Sequence, residues 1–295
     1  MKHEIGPREY EWPNGACVAL SIVVNVEEGA EANIQDGDKY PEPVDEMGLA
    51  IKRSIRNYAN ESNYLYGIRR GAPRVMRLLD RYAIPATFTA CALALERAPA
   101  LAQEIVRQGR HEVTSHGYRW AHQFQMDEEQ ERAYIRKAVA SIEKSTGEKP
   151  KGWLSRYLLT DNTRRLLCEE GFLYHMDDYG DDEPRWDSVN GKPIVILPYQ
   201  IDTNDMKMWA APAYTPDQWL KYAIDNLEWM IEEGRTDVGM MSLGLHLRII
   251  GRGGRIWALE RFLAHVAERA AQGKVWLATR EQIARHFASA VPWRG

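Results

Sequence analysis

The stretch HEVTSHGYRWAHQF, residues 111–124, combines three histidines, His111, His116 and His122, with polar and aromatic side chains. The short run from Glu112 to Ser115 predicts a strand that ends at His116, and His122 follows six residues later. Histidine is a common metal ligand and also a common acid or base in catalysis. The stretch is therefore typical of two chemistries, metal binding and proton transfer.

Other apolar runs also end in side chains that hold charge or move protons. In chain order these are Asn25, Glu27 and Glu28; Ser155, Arg156 and Tyr157; Asp177 and Asp178; Asp202, Asn204 and Asp205; and His246 followed by Arg248. In a parallel (β/α) barrel the C-terminal strand ends meet at one rim, where active sites form. Six runs that deliver polar groups to one rim predict an enzyme that uses an acid, a base and charge stabilisation.

Each of these residues also has a structural interpretation. Glu27 and Glu28 alone are typical of a strand end that faces solvent, and His116 alone of a hydrogen-bonded structural histidine. Arg156 is equally consistent with a salt bridge to a nearby aspartate. His246 lies in an apolar run, where a histidine without a partner is costly to bury, so we expect it to be functional or hydrogen-bonded.

Apolar runs alternate with helical patterns along the chain. The runs are 16–28, 85–93, 111–116, 151–159, 173–178, 193–205, 238–246 and 274–280, and the helical patterns include 71–82, 98–108, 127–146, 161–170, 216–233 and 255–272. This alternation predicts a parallel sheet, best built as a closed or nearly closed (β/α) barrel, with an open doubly wound sheet as the alternative. We expect one domain over residues 1–295, with residues 29–70 as an insertion over the barrel rim.

Composition excludes several classes of function. The chain has 295 residues, 44% of them hydrophobic, and a net charge of −4, which gives no reason to expect nucleic acid or an anionic membrane as a partner. No apolar run is long enough to span a membrane, and the polar N-terminus is not a signal peptide. The three cysteines are far apart and predict free thiols. We expect a cytoplasmic protein.

The order of the motifs resembles the polysaccharide deacetylase (NodB-homology) superfamily. The matching elements are Glu27-Glu28, SHGYRW, WLSRY, DDYGDD and LGLH. This resemblance implies a deformed (β/α) barrel of seven to eight parallel strands. The segments VVNVEEGAE, SHGYRW, DNTRRLL, IDTNDM and GLHLRIIGR are more similar to one branch, the allantoinase-like enzymes and cyclic imide hydrolases (imidases). Members of that branch hydrolyse small cyclic amides, ureides or imides, and a homotetramer is accordingly expected.

Two positions depart from the deacetylase pattern. The usual aspartate pair is Glu27-Glu28, and Trp120 stands where the second metal histidine would be. Residues four apart share one helix face, whereas His122 is six residues beyond His116 and off that face. We therefore favour a site without a catalytic metal. The alternative is a divalent metal such as zinc held by Glu28, His116 and His122.

The sequence predicts hydrolysis of a small, planar cyclic amide or imide. Trp120 and Trp153 would form an apolar wall for a flat ring. Glu27 or Glu28 would act as general base, while His246 would protonate the leaving nitrogen. His116 would remain at the site to bind or polarise the substrate.

Further residues have supporting roles in this hypothesis. Arg156 would hold the carboxylate pair or neutralise developing negative charge, and Asp178, Tyr199 and Asn204 would orient the substrate. Three alternatives stay open: an allantoinase, a peptidoglycan or other polysaccharide deacetylase, and a barrel that binds a ligand without catalysis.

Overall fold

The computed structural model describes residues 10–294. The strands are β1 Val18–Val26, β2 Ala86–Ala90, β3 Glu112–Ser115, β4 Gly152–Trp153, β5 Tyr174–His175, β6 Arg185–Val189, β7 Lys192–Ile196, β8 Gly239–His246 and β9 Val275–Leu277. The α-helices are α1 Tyr58–Tyr66, α2 Ala72–Arg81, α3 Ala92–Arg97, α4 Pro99–Arg107, α5 Glu128–Thr146, α6 Thr163–Glu169, α7 Pro216–Glu233, α8 Leu247–Ile250, α9 Gly253–Ala271 and α10 Arg280–Ala290. Within this part of the chain, no helix is long and apolar enough to cross a membrane.

The strands form one curled sheet in the order β6-β7-β5-β4-β3-β2-β1-β8, with β9 beside the start of β1. All pairs are parallel except β6 with β7. Side chains join the two edges of the curl: the Gln200 backbone N–H donates to Ser242 Oγ (2.9 Å), and the Ser242 N–H donates to Gln200 Oε1 (3.1 Å). The predicted deformed barrel is therefore confirmed as a nearly closed half-barrel.

The structure differs from the sequence prediction in one additional strand, β6, and in three strands that are shorter than predicted. β6 and β7 form an antiparallel hairpin whose turn residues, Asn190 and Gly191, have φ of 53° and 74°, the conformation that Asn-Gly favours in tight hairpins. The runs 151–159, 173–178 and 193–205 contribute only two, two and four residues to the sheet. Beyond these short strands the chain leaves the sheet and forms the rim.

The two faces of β1 explain how its end becomes a site. Leu20, Ile22 and Val24 point outward into the main core against the helices. Inward-pointing positions alternate with these, and two of them, Ser21 and Asn25, are polar and buried. Continuing the alternation, Glu27 stands at the open end of the barrel interior.

Residues 29–57 form no strand or α-helix and carry one short 3-10 turn, Ile34–Asp36. They contact the rim directly, because the Trp120 backbone N–H donates to the Ala30 carbonyl (3.0 Å). The helix α1 and a π-helical turn over Gly67–Gly71 follow and lead into α2. The segment expected as an insertion is thus mostly irregular chain packed beside the strand ends.

Candidate active site

A cavity of about 230 Å³ opens at the C-terminal ends of the strands. Its lining combines ionisable, polar, aromatic and aliphatic side chains: Asn25, Glu27, His116, Trp120, Leu154, Ser155, Arg156, Tyr157, Tyr179, Tyr199, Ile201, Asn204, Met206, Lys207, Ala210 and His246. The volume is sufficient for a small molecule.

Glu27 is the centre of this site. Its Oε1 atom lies 3.4 Å from His116 Nε2 and 3.4 Å from His246 Nε2, and its Oε2 accepts a hydrogen bond of 2.7 Å from Arg248 Nη1. Burial alone would raise the pKa of the Glu27 carboxyl, but His246, Arg248 and His116 together hold this pKa well below its usual value. Glu27 is therefore an ionised carboxylate that two histidine rings face.

The Nδ1 atom of each histidine forms a hydrogen bond that orients the ring. His116 Nδ1 lies 2.7 Å from the carbonyl oxygen of Leu154, and since a carbonyl only accepts, this nitrogen carries the proton. His246 Nδ1 lies 2.7 Å from Asp205 Oδ1. Both Nε2 atoms are thereby oriented toward the Glu27 carboxylate.

Asp205 controls the charge and position of His246. Its Oδ2 atom accepts hydrogen bonds from the backbone N–H groups of His246 (2.8 Å) and Ile250 (3.1 Å), and its side chain is fully buried. Burial alone would lower the pKa of His246, but the carboxylates of Glu27 and Asp205 raise it to about 10. His246 is thus an imidazolium at neutral pH, which suits a proton donor.

Glu28 lies behind the cavity and is not among its lining residues. Its two carboxylate oxygens accept the backbone N–H groups of Arg248 (2.9 Å) and Glu27 (3.2 Å). Burial raises the pKa of Glu28 to about 7, against the lowering effect of Arg248. Gly67 packs so closely that an added Cβ would lie 2.5 Å from Glu28 Oε1. The prediction that either glutamate could act as the base is therefore corrected: only Glu27 lines the cavity.

The predicted partner of Arg156 is also wrong. Its guanidinium does not hold the carboxylate pair; it pairs with Glu42 (Nη1–Oε2 3.0 Å) and donates to the Trp120 carbonyl (2.6 Å). Arg248, two residues after His246, holds Glu27 instead. Glu42 lies in the irregular segment, and no pattern in the sequence linked it to this arginine.

Trp120 and Trp153 are placed differently. Trp120 lines the cavity, and the Arg156 guanidinium stacks on its ring at 3.7 Å. Trp153 is fully buried in the main core, with its Nε1–H donated to Ser155 Oγ, and it does not line the cavity. Its predicted role as a substrate wall is therefore wrong, because strand alternation turns residue 153 outward and Leu154 inward.

Of the three residues predicted to orient the substrate, two line the cavity and one does not. Tyr199 and Asn204 line the cavity and bond to each other (Nδ2 to OH 3.0 Å). Asp178 accepts a 2.6 Å hydrogen bond from Arg185 and does not line the cavity, which corrects its predicted role.

The alternative metal set of Glu28, His116 and His122 is not brought together. Both Glu28 oxygens are occupied by backbone amides, while His122 Nδ1 donates to the Arg156 carbonyl (2.9 Å) and lines a neighbouring cavity. Among residues 10–294, no three His, Cys, Asp or Glu side chains are grouped so as to hold a metal ion. Glu28, His116 and His122 therefore do not form a metal site together.

A carboxylate and two histidines thus meet at the open end of the half-barrel. The chain belongs to the polysaccharide deacetylase family. A model described as "Polysaccharide deacetylase" matches residues 63–171. A curated relative from Schizosaccharomyces pombe, named "Putative polysaccharide deacetylase", is 34% identical over 305 residues, covering 96% of this chain and 94% of that protein. The chain is therefore a deacetylase-family hydrolase, as the sequence predicted.

Two solved structures are similar over almost the whole chain. A probable polysaccharide deacetylase from Pseudomonas aeruginosa PAO1 is 40% identical with a TM-score of 0.92, covering 99% of this chain and 97% of that one. Puue allantoinase is also 40% identical, with a TM-score of 0.91 and coverage of 98% and 96%. This pair supports an enzyme that hydrolyses C–N bonds.

Proposed function

We propose that the protein hydrolyses a C–N amide bond in a small cyclic amide or imide. The observation that carries this proposal is the position of Glu27 Oε1, 3.4 Å from the Nε2 atoms of both His116 and His246 inside a small cavity. A carboxylate base and an imidazolium acid on one face of a substrate are what ring opening by water needs.

The walls of the cavity favour a flat ring. Half of its lining residues are aromatic or aliphatic: Trp120, Tyr157, Tyr179, Tyr199, Leu154, Ile201, Met206 and Ala210. Planar rings stack on aromatic faces and displace water from apolar side chains. Such a lining supports an uncharged cyclic amide or imide over a charged or highly hydroxylated substrate.

The first step is attack by water. Glu27 Oε1 accepts one proton from the water, and the water oxygen forms a bond to the ring carbonyl carbon, giving a tetrahedral oxyanion. The low pKa of Glu27 keeps it ionised, which guarantees an unprotonated base but makes that base weak. Arg248 orients the carboxylate through Oε2 and leaves Oε1 for the water.

The second step is departure of the ring nitrogen. As the C–N bond breaks, His246 Nε2 gives its proton to the nitrogen, and the carbonyl re-forms as a carboxylic acid. An imide nitrogen leaves readily, because its second carbonyl delocalises the charge. The proton held by Glu27 then returns to His246 across the 3.4 Å gap, which restores both groups.

Allantoin is the second candidate substrate. The 40% identity with Puue allantoinase over almost the whole chain favours it. A cyclic ureide would use the same base and acid, so the distinction depends on the cavity walls rather than on the chemistry of Glu27 and His246.

A turnover screen tests the proposal. Purified enzyme is assayed with succinimide, phthalimide, dihydropyrimidines, hydantoin, allantoin and an acetylated chitooligosaccharide. We expect ring opening of a cyclic imide or amide, and opening of allantoin alone would assign the second candidate. Release of acetate from the oligosaccharide, with no ring opened, would overturn the proposal.

A further inference from the structure

The hydroxyl of Tyr199 lies at the cavity wall between two asparagines. Asn25 Nδ2 donates to it at 3.1 Å and Asn204 Nδ2 donates at 3.0 Å. All three side chains are buried and all three line the cavity. Two N–H donors therefore converge on one phenolic oxygen.

The orientation of each amide is fixed by a backbone group. Asn25 Nδ2 also donates to the carbonyl of Leu245 (3.2 Å), which can only accept. Asn204 Oδ1 accepts the backbone N–H of Met206 (2.9 Å), so its Nδ2 must face the tyrosine. Neither amide can be reversed without leaving a backbone group unpaired.

These contacts leave the hydroxyl with one function. Its oxygen already accepts two hydrogen bonds, so its proton must be donated elsewhere. Among residues 10–294 no hydrogen bond from the Tyr199 hydroxyl to a protein acceptor is present, while the ring borders the cavity. We propose that Tyr199 is a catalytic residue that donates this hydrogen bond to the carbonyl oxygen under attack, which rests on the proposed hydrolysis of a cyclic amide.

The position of the hydroxyl fits this role. Asn25 lies in β1 and Glu27 directly follows the last residue of that strand, Val26. Two residues of extended chain span about 7 Å, so the two side chains face the barrel interior at successive levels. A substrate carbonyl group can lie between a water molecule at Glu27 and the Tyr199 hydroxyl that Asn25 holds. Gly244 provides the space, because a Cβ there would lie 2.3 Å from the Tyr199 oxygen.

The hydroxyl stabilises charge without giving up its proton. Burial raises the pKa of Tyr199 above its usual range, against the hydrogen bond from Asn25, so the group stays protonated at any working pH. When water adds to the carbonyl carbon, the π electrons move to oxygen and the hydrogen bond from Tyr199 strengthens. Such a donor lowers the barrier more than it tightens substrate binding.

Kinetics of Tyr199→Phe test the role on a substrate that the wild type opens. We expect kcat to fall about 10²-fold or more, the usual effect of losing one oxyanion donor, with KM changed by less than about threefold. Tyr222→Phe is the matched control and should keep wild-type kcat. Tyr222 lies on α7, and the substitution removes its exposed hydroxyl, which donates to Asp202. A normal kcat in Tyr199→Phe would overturn the role of Tyr199 while leaving the reaction itself established.

A second measurement does not depend on turnover. Neutron diffraction from deuterium-exchanged crystals locates the hydroxyl deuteron of Tyr199. We expect it to point into the cavity, with deuterons of Asn25 and Asn204 directed at the phenolic oxygen. A deuteron directed at either asparagine oxygen would overturn the proposal even if no substrate had been found.

Discussion

Glu27 and His246 form an ion pair whose facing atoms, Oε1 and Nε2, lie 3.4 Å apart in the wall of a small cavity. Each group shifts the pKa of the other toward its charged form. The carboxylate of Glu27 is therefore ionised and the imidazole of His246 protonated, as the proposed base and acid require.

Glu27→Gln removes the base and keeps the shape of the side chain. We expect kcat to fall by at least about 10²-fold, since a positioned base contributes 10²- to 10⁴-fold. Steady-state kinetics on the best substrate of the screen measure this, with Glu104→Gln, a change in an exposed pair with Arg107 on α4, as the control. Near-normal turnover in Glu27→Gln would refute the assignment of the base.

Asp205→Asn removes one of the two carboxylates that keep His246 protonated. In the wild type the pKa of His246 is raised to about 10, so the acid is active below that pH and activity is lost as pH rises through it. We expect the alkaline limb of the kcat/KM profile to move to lower pH in the variant. An unchanged limb would show that another group supplies the proton.

Glu28→Gln probes the buried carboxyl through stability. Its pKa of about 7 lies above the unfolded value near 4.5, so the folded state holds this proton more tightly. Its contribution to the free energy of unfolding is present below pH 4.5 and is lost as pH rises to 7. Urea unfolding at pH 4.5 and pH 8 should show the variant gaining stability over wild type with rising pH, by at most about 3 kcal/mol.

Chelation tests whether a divalent metal takes part. Since Glu28 is bound by backbone amides and Arg248 supplies the positive charge beside Glu27, we expect turnover to survive dialysis against EDTA. Metal content is measured on the same sample. Stoichiometric zinc whose removal abolishes turnover, and whose return restores it, would contradict this prediction.

The two tryptophans give a paired comparison. Trp120→Ala should lower kcat/KM about tenfold or more, because the residue forms part of the wall and stacks on Arg156. Trp153→Phe should leave KM within about twofold and lower the melting temperature instead, because the ring is fully buried in the core. If Trp153→Phe changed KM as much as Trp120→Ala does, Trp153 would again be assigned to the substrate site.

The sequence predicted those parts of the site that follow from strand order. Glu27 and His246 lie at the ends of the neighbouring strands β1 and β8, and His116 follows β3, which β2 separates from β1. All three strand ends lie on the same rim, so the meeting of these side chains follows from topology. Asp205 and Arg248 were visible at the same rim, but their partners depend on how the chain turns after the strand. The contact between Glu42 and Arg156 could not be predicted, because no local pattern in an irregular segment specifies a partner 114 residues away.

Strand lengths were overestimated for a related reason. Apolar runs continue past β4 and β5. Leu154 and Met176 still donate their N–H groups to the neighbouring strands, but beyond them the backbone bonds to residues of the rim. The Ser155 N–H, for example, donates to the Asp177 carboxylate (2.8 Å). Hydrophobicity reports burial and does not distinguish a strand from a buried loop.

The pair between Glu42 and Arg156 makes the irregular segment and the cavity wall a single unit. Deleting or exchanging residues 29–57 would leave the buried guanidinium of Arg156 without its carboxylate, and such a loss usually costs several kcal/mol. An engineer who wishes to enlarge the cavity by shortening this segment must therefore replace Arg156 in the same design. The contact between Glu42 and Arg156 thus couples the shape of the cavity wall to folding stability.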